Sequence, residues 1–175
     1  MRISRLGATA LGCSVIAALL TACSPSGGLR FDADGSSLCS GMGGPTIFGT
    51  SLTNEGPGTV TLSDISVREV SDTVIDEIAV APRPDDAEDP TGLVFTDVVP
   101  ASYLENWADR TDPEGVELAP GSTIDIFITA RETGSPGTGL MKGLVATTEG
   151  FGAQPLFGAI EFGFASGARC GTDAG

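Results

Sequence analysis

The feature that most constrains this chain is a series of short stretches of alternating apolar and polar residues, separated at close intervals by glycine and proline. The 175 residues include 25 glycines and 11 prolines, which supply the backbone angles that tight turns require. Helical periodicity is almost absent, and the crossover helices of a parallel α/β sheet are missing. The pattern predicts an all-β sandwich or barrel with about eight short strands.

The clearest strand is predicted at residues 122–132, where Ile124, Ile126 and Ile128 alternate with polar residues that include Asp125. This alternation predicts one buried face and one largely wet face. A slip in the alternation at residues 63–64 predicts a β-bulge or a break in the strand. The eight predicted strands cover residues 29–34, 46–53, 59–70, 73–80, 92–99, 122–132, 140–148 and 156–165.

One short helix is predicted in the sequence ASYLENWAD, residues 101–109. Spacings of three and four residues place Tyr103, Leu104 and Trp107 on one helical face, which we expect to lie over an end of the core. Aromatic residues of this kind also anchor protein interfaces. Both interpretations stay open here, and burial in the core is favoured over an interface.

Residues 50–67, TSLTNEGPGTVTLSDISV, resemble the first hairpin of bacterial immunoglobulin-like and fibronectin-like modules. In those modules a polar turn containing asparagine and glycine lies between two half-buried strands. The resemblance implies an immunoglobulin-like two-sheet antiparallel sandwich and implies no activity.

The N-terminal segment has the layout of an export signal. Arg2 and Arg5 precede an uncharged run over residues 6–20, as in a signal peptide. This run is shorter than the roughly 20 apolar residues that a membrane-spanning helix needs. It ends in four residues, Leu20, Thr21, Ala22 and Cys23.

These four residues resemble the lipobox of bacterial lipoproteins, and the Ala/Gly/Asp-rich, lysine-poor composition resembles that of actinobacterial proteins. The resemblance implies a signal peptide helix at residues 1–22, cleavage between Ala22 and Cys23, and diacylglycerol on the Cys23 sulfur. Two acyl chains hold a protein stably on a membrane. We therefore expect a protein anchored at the extracytoplasmic face of the cell membrane, with a tether at residues 23–28 and a β-sandwich domain at residues 29–175. The alternative is plain secretion with Cys23 as an ordinary cysteine.

The charge of the chain argues against contact with phosphate-rich partners. The formal net charge is −14, and without residues 1–22, which hold two of the nine basic residues and no acidic one, it becomes −16. Nucleic-acid binding depends on clustered Lys and Arg, whereas Lys142 is the only lysine here. We expect no nucleic-acid partner. An anionic membrane surface would also repel the domain, so the lipid is predicted to be its only membrane contact.

Four cysteines occur in the chain. Cys13 would leave with the signal peptide and Cys23 would carry the lipid, which leaves Cys39 and Cys170 as a pair in an oxidising compartment. A disulfide between them is predicted. Two free thiols or a metal pair are the alternatives, and the absence of histidine argues against the metal pair.

The absence of histidine also excludes Ser-His-Asp triads, Cys-His pairs and histidine-ligated zinc or copper sites. No catalytic centre and no cofactor are expected. Two carboxylates could still serve as acid and base in a glycoside hydrolase, which remains a lesser alternative.

Calcium is the best candidate for a metal, since hard cations prefer several oxygen ligands. Asp32 and Asp34 lie near Gly35, but they do not match the spacing of an EF-hand. The other candidate ligands are Asp85, Asp86, Glu88 and Asp89. A solvated acidic loop is the favoured interpretation for both candidate segments.

The sequence therefore predicts a membrane-anchored envelope lipoprotein with a non-catalytic binding or scaffolding domain. Its partner is expected to be another envelope component, bound through loops or through an exposed sheet edge. Calcium or small-ligand binding is the alternative. The oligomeric state is left open.

Overall fold

The structure, a computed structural model, describes residues 28–41, 44–83, 94–96, 99–150 and 155–164. Within these ranges the chain forms ten strands, a 3₁₀ turn at Ala101–Tyr103 and one short helix, α1, at Leu104–Ala108. The strands are β1 (Leu29–Phe31), β2 (Ser37–Ser40), β3 (Thr46–Asn54), β4 (Val60–Ser71), β5 (Thr73–Pro82), β6 (Val94–Thr96), β7 (Glu117–Leu118), β8 (Thr123–Glu132), β9 (Leu140–Thr148) and β10 (Leu156–Phe164).

The strands form two five-stranded sheets. The first sheet has the order β1-β3-β8-β5, with β6 also paired to β3, and the second sheet has the order β2-β10-β9-β4-β7. All pairs are antiparallel except β2 with β10, which run parallel. The chain passes between the sheets where β4 joins β5, at Asp72, whose φ is 48°.

The main core lies between the two sheets. Phe48 of β3 meets Phe162 and Phe164 of β10 at ring-centroid distances of 5.3 and 5.5 Å. Apolar residues alternate along the strands, so each sheet turns one apolar face inward. The predicted all-β fold with two packed sheets is confirmed. Other fully buried members of this core are Leu52, Leu62, Ile126, Ile128, Met141, Leu144 and Ile160.

The predicted bulge in β4 is also confirmed. The register between β4 and β9 shifts between Leu62 and Asp64. The extra residue lets both Leu62 and Ile65 point into the core, although strict alternation would place them on opposite faces.

Strand β8 differs from its prediction, because it is buried on both faces. Asp125 and Phe127, on the side predicted to be wet, are completely buried. A second apolar cluster covers this outer face of the first sheet, with Phe127 packed among Phe95 of β6 and Tyr103 of the 3₁₀ turn. The prediction of a largely wet face was therefore wrong at these two positions.

The short helix forms where it was predicted, but its buried face differs. Tyr103 is buried and Trp107 is half-buried, whereas the side chain of Leu104 is 51% exposed and Asn106 is buried. The segment begins as a 3₁₀ turn, whose period of three residues shifts the angular positions of the residues that follow. The prediction that Leu104 shares the face of Tyr103 and Trp107 was wrong.

Three features of strand pairing were not predicted. Strands β2 and β7 lie in stretches that the alternation did not mark, and β2 pairs with β10 in parallel, with Leu38 opposite Phe162 and Cys39 opposite Gly163. A wholly antiparallel sandwich was therefore wrong for this one pair.

The predicted signal peptide helix lies outside the described residues, and none of the helices in the described ranges is long and apolar enough to cross a membrane.

Candidate binding surface

An open cleft of about 350 Å³ lies on the outer face of the second sheet. Three neighbouring strands, β4, β9 and β10, form its floor and walls, and the turn between β1 and β2 contributes one side chain. The residues that supply its chemistry are Asp34, Arg68, Glu69, Lys142, Phe157 and Glu161.

An irregularity in the sheet opens this cleft. The register between β9 and β10 shifts between Gly158 and Glu161, and the facing residue Gly143 has φ of +71°. The backbone N–H of Ala159 donates to a carboxylate oxygen of Asp34 at 2.6 Å. The turn after β1 is thereby held at the rim of the cleft.

Charged side chains of both signs line the cleft. Lys142 Nζ lies 2.9 Å from a carboxylate oxygen of Glu161, and Glu69 of β4 is the cross-strand neighbour of Lys142. Arg68 lies beside Gly143, where a Cβ atom would be 3.4 Å from the Cβ of Arg68. No ion pair of Arg68 occurs within the described ranges.

An exposed aromatic ring stands in the same cleft. Phe157 is 57% exposed, the highest value among the large apolar side chains that the structure describes. It points outward from β10, while its neighbour Gly158 faces inward. A Cβ at Gly158 would lie 2.6 Å from the buried ring of Phe31, so glycine is required for β1 to pack this closely.

The free edge of β4 borders the cleft. On one side β4 pairs with β9 along its length. On the other side it pairs with β7 only at Val60 and Thr61, and Leu62 exchanges backbone hydrogen bonds of 2.9 Å with Val116 and Gly115. Beyond this point, no described strand pairs with residues 64–71 on that side.

Strand β5 has a similar edge. It pairs with β8 on one side, and on the other it makes only an isolated bridge between Val80 and Thr111 in the described part of the chain. Because β4 leads directly into β5, the two edges lie on the same side of the sandwich. Val70 and Val74 are exposed on either side of the junction.

The one fully buried carboxylate among the described residues lies elsewhere, under α1. Asp125 Oδ1 accepts a hydrogen bond from Arg83 Nε at 2.8 Å, and Oδ2 accepts one from the side-chain amide of Asn106. Arg83 also donates to the hydroxyl of Ser51. With both oxygens occupied and a guanidinium beside it, Asp125 is built for structure rather than proton transfer.

Tyr103 and Trp107, which were weighed as core or interface residues, pack in the second apolar cluster. The ring of Tyr103 lies 5.4 Å from that of Phe95. Trp107 meets Phe127 edge-to-face, also at 5.4 Å, and the guanidinium of Arg110 lies 4.0 Å above the indole. The structure supports the interpretation as core residues.

A single carboxylate organises the loop between β8 and β9. One oxygen of Glu132 accepts the backbone N–H groups of Thr138 and Gly139 at 2.7 and 2.8 Å. Burial raises the pKa of Glu132, but the N–H groups of Gly139, Gly137 and Thr138 outweigh that effect and hold the pKa below its ordinary value.

The two candidate metal ligands that the structure describes, Asp32 and Asp34, do not converge. Asp32 faces Arg30 at 2.9 Å, whereas Asp34 bonds to Ala159 of β10, so the two carboxylates serve different contacts. Within the described ranges, no group of three or more potential metal-ligating side chains is present. The acidic-loop candidates Asp85, Asp86, Glu88 and Asp89 lie outside these ranges.

The predicted covalent sites can be located only in part. Ala22, Cys23 and Cys170 lie outside the described residues. Cys39 takes part in a disulfide. Its pairing with Cys170 stays a prediction, because Cys170 lies outside the described residues. The C-terminal end of β10 lies beside β2, with Phe164 opposite Ser40, and the six residues from Phe164 to Cys170 can span at most about 20 Å.

Sequence reasoning missed the cleft. Its residues extend along the chain from Asp34 to Glu161, and no sequence pattern brings them together. The available signal was the occurrence of Gly143 and Gly158 inside predicted strands, since glycine in a strand interior often marks a bulge.

Neither a protein-family model nor a curated protein matches the sequence. Solved structures that align with this chain include one human and one bacterial protein. PapD-like domain 7 of human CEP192 aligns with 91% of this chain and 100% of its own length, at 15% identity and a TM-score of 0.42. The secreted serine protease VesC from Vibrio cholerae aligns with 78% of this chain at 13% identity and a TM-score of 0.41.

This chain spans 23% of the length of the protease. At these TM-scores, neither likeness leads to a conclusion about what the chain binds or does.

Proposed function

We propose that this chain is a lipid-anchored, non-catalytic binding module of the bacterial envelope, which captures an extended segment of a partner protein along the free edge of β4. The observation behind this proposal is that none of the described strands pairs with residues 64–71 on the side away from β9. An exposed strand edge offers a row of backbone donors and acceptors, to which an extended peptide can add as a further strand.

The side chains of β4 define the chemistry of the partner segment. Ile65 is buried and Val67 half-buried toward the core, while Arg68 faces outward. An added strand places its residues directly opposite these positions. The segment should therefore carry apolar residues opposite Ile65 and Val67 and an acidic residue opposite Arg68.

The same strand carries features that oppose indiscriminate pairing. Asp64, Arg68 and Glu69 place charges along the edge, and the bulge before Asp64 bends it. Natural proteins protect edge strands in these two ways. A partner with matching charges is favoured over an arbitrary hydrophobic strand.

The lipid anchor is tested by replacing the cysteine that would carry it. Cys23→Ser is expected to move the protein from the membrane fraction to the soluble fraction, because the acyl chains would be its only stable attachment. Mass spectrometry of the parent protein, which keeps Cys23, should show a diacylglyceryl adduct on this residue. A variant that sediments with membranes as firmly as the parent would contradict the anchoring.

Strand addition is tested with a photo-reactive amino acid at Val70, beside the free edge, in the full-length lipidated chain in intact cells. Leu104 is the matched control position, since it is similarly exposed but lies on α1 over the other sheet. A discrete cross-linked protein is expected from position 70 and not from position 104.

Two proline variants then test the role of the backbone. Successive N–H groups of an edge strand point alternately toward the neighbouring strand and toward solvent. One of Ser66→Pro and Val67→Pro therefore removes a free donor, while the other breaks the ladder with β9. The variant that keeps its fold should lose the cross-link. A cross-link that survives in that variant would contradict strand addition.

A further inference from the structure

The cleft on the outer face of the second sheet differs from the strand edge beside it in the groups that it offers to a ligand. The edge offers backbone groups, whereas the cleft offers side chains around a concave volume of about 350 Å³. This volume is at the lower end of the range of roughly 300–1,000 Å³ that is typical of small-molecule sites. An occupant would have the size of a mono- or disaccharide.

The charges in the cleft favour a neutral occupant. Arg68 and Lys142 supply donors, and Asp34, Glu69 and Glu161 supply acceptors. A strongly anionic ligand would meet three carboxylates, and a strongly cationic one would meet two basic groups. Hydroxyl groups both donate and accept hydrogen bonds, so a neutral polyhydroxylated molecule can satisfy both kinds of side chain.

The exposed ring of Phe157 indicates the other half of the ligand. The face of an aromatic ring is negative and attracts weakly positive C–H groups. A sugar ring has such an apolar C–H face together with a rim of hydroxyls. An exposed aromatic ring surrounded by charged groups that both donate and accept is suited to this combination.

We infer that this cleft binds a neutral saccharide, with one sugar face on Phe157 and the hydroxyl groups on Arg68, Lys142, Glu69 and Glu161. Binding does not require catalysis by these groups. Glu161 is paired with Lys142 at 2.9 Å and Asp34 holds the N–H of Ala159 at 2.6 Å, so neither is placed as an unoccupied acid or base.

The test uses the mature lipidated chain in a detergent without a sugar headgroup. Saturation-transfer NMR and calorimetric titration would be run with maltose, lactose and N,N′-diacetylchitobiose at millimolar concentrations, with gluconate as the anionic comparison. At least one neutral saccharide is expected to bind, and more tightly than gluconate. Failure of all three to bind, or equal binding of gluconate, would overturn the inference.

Two exposed variants locate the binding. Phe157→Ala is expected to weaken binding about fivefold, since an aromatic contact contributes about 1 kcal/mol. Leu104→Ala, an equally exposed apolar position on the other sheet, should leave it unchanged. Arg68→Ala should weaken binding severalfold, compared with Arg131→Ala as its control. Unchanged affinity in both cleft variants would overturn the inference.

These outcomes are distinct from those of the proposed strand addition, whose readout is the cross-link at Val70. The NMR spectra also reveal any hydrolysis of the saccharide. Cleavage with the parent chain would contradict the non-catalytic function while leaving saccharide recognition in place.

Discussion

At the scale of single residues, Asp125 ties three separate segments to the centre of the first sheet. Its carboxylate lies on β8, and its partners Arg83, Asn106 and, through Arg83, Ser51 lie at the end of β5, on α1 and on β3. The Asp125 side chain is fully buried, and that of Arg83 is 17% exposed. Removing either Asp125 or Arg83 would break the ion pair that these two residues form inside the protein.

Asp125→Ala is accordingly expected to lower the free energy of unfolding by about 3 kcal/mol, because it removes the carboxylate that pairs with the Arg83 guanidinium and accepts from the Asn106 amide. Urea denaturation followed by circular dichroism would measure the change. The matched control is Asp76→Ala, which removes an exposed partner of Arg131 at 3.3 Å and should change stability by less than about 1 kcal/mol. Equal losses in the two variants would contradict the structural role of Asp125.

At the scale of elements, the loop between β8 and β9 depends on the ionised form of Glu132. Its pKa lies below the ordinary value in the folded chain because Gly137, Thr138 and Gly139 donate to it, despite an opposing effect of burial. A lowered folded-state pKa contributes stability above the ordinary glutamate pKa of about 4.3. That contribution is lost as pH falls through the folded-state value.

The parent is therefore expected to melt at a higher temperature than Glu132→Gln at neutral pH, with the difference shrinking below a pH of about 4. Melting curves of the two proteins between neutral and acidic pH would measure this convergence. Glu117→Gln, at an exposed position on β7, is the control and should follow the parent at every pH. A parent-to-variant difference that is independent of pH would contradict the role of the carboxylate charge.

Elements were predictable from sequence where the information is local. The alternation of apolar residues located β3, β5, β8, β9 and β10, and the slip at residues 63–64 located the bulge in β4. The burial of Asp125 was not predictable in this way, because it depends on α1 and β6 covering the outer face of β8. Phe127, between the isoleucines of β8, was the local sign that this face is also covered.

The candidate site was less predictable than the fold. An exposed sheet edge was expected, but its position depends on which strands become neighbours, and that is decided by distant parts of the chain. The cleft depends on a register shift between β9 and β10, for which the local sign was glycine at positions 143 and 158 inside predicted strands. Its aromatic residue, Phe157, was placed only as part of the last predicted strand.

At the scale of the whole molecule, the parallel pairing of β2 with β10 brings the beginning and the end of the described domain together. Cys39 of β2 lies opposite Gly163 of β10. A disulfide between Cys39 and Cys170 would close a loop of about 130 residues, for which the chain-entropy model gives about 5 kcal/mol. This bond would fix an edge strand that is only four residues long.

Reduction with a thiol reagent is expected to lower the melting temperature of the mature protein. Cys170→Ser should show the same lower melting temperature without reductant and no further change when reductant is added. Thermal unfolding followed by circular dichroism measures both. If Cys170→Ser kept a reductant-sensitive transition, Cys39 would have a different partner.

The position of Lys142, beside Glu161 in the cleft, also has a practical consequence. Because Lys142 is the only lysine of the chain and lies in the cleft, amine-reactive dyes and isotope labels have one side-chain target in the entire protein. Protection of this amine from labelling would report occupancy of the cleft, without engineering an attachment point. The chain therefore contains its own handle for following ligands at this surface in the purified protein.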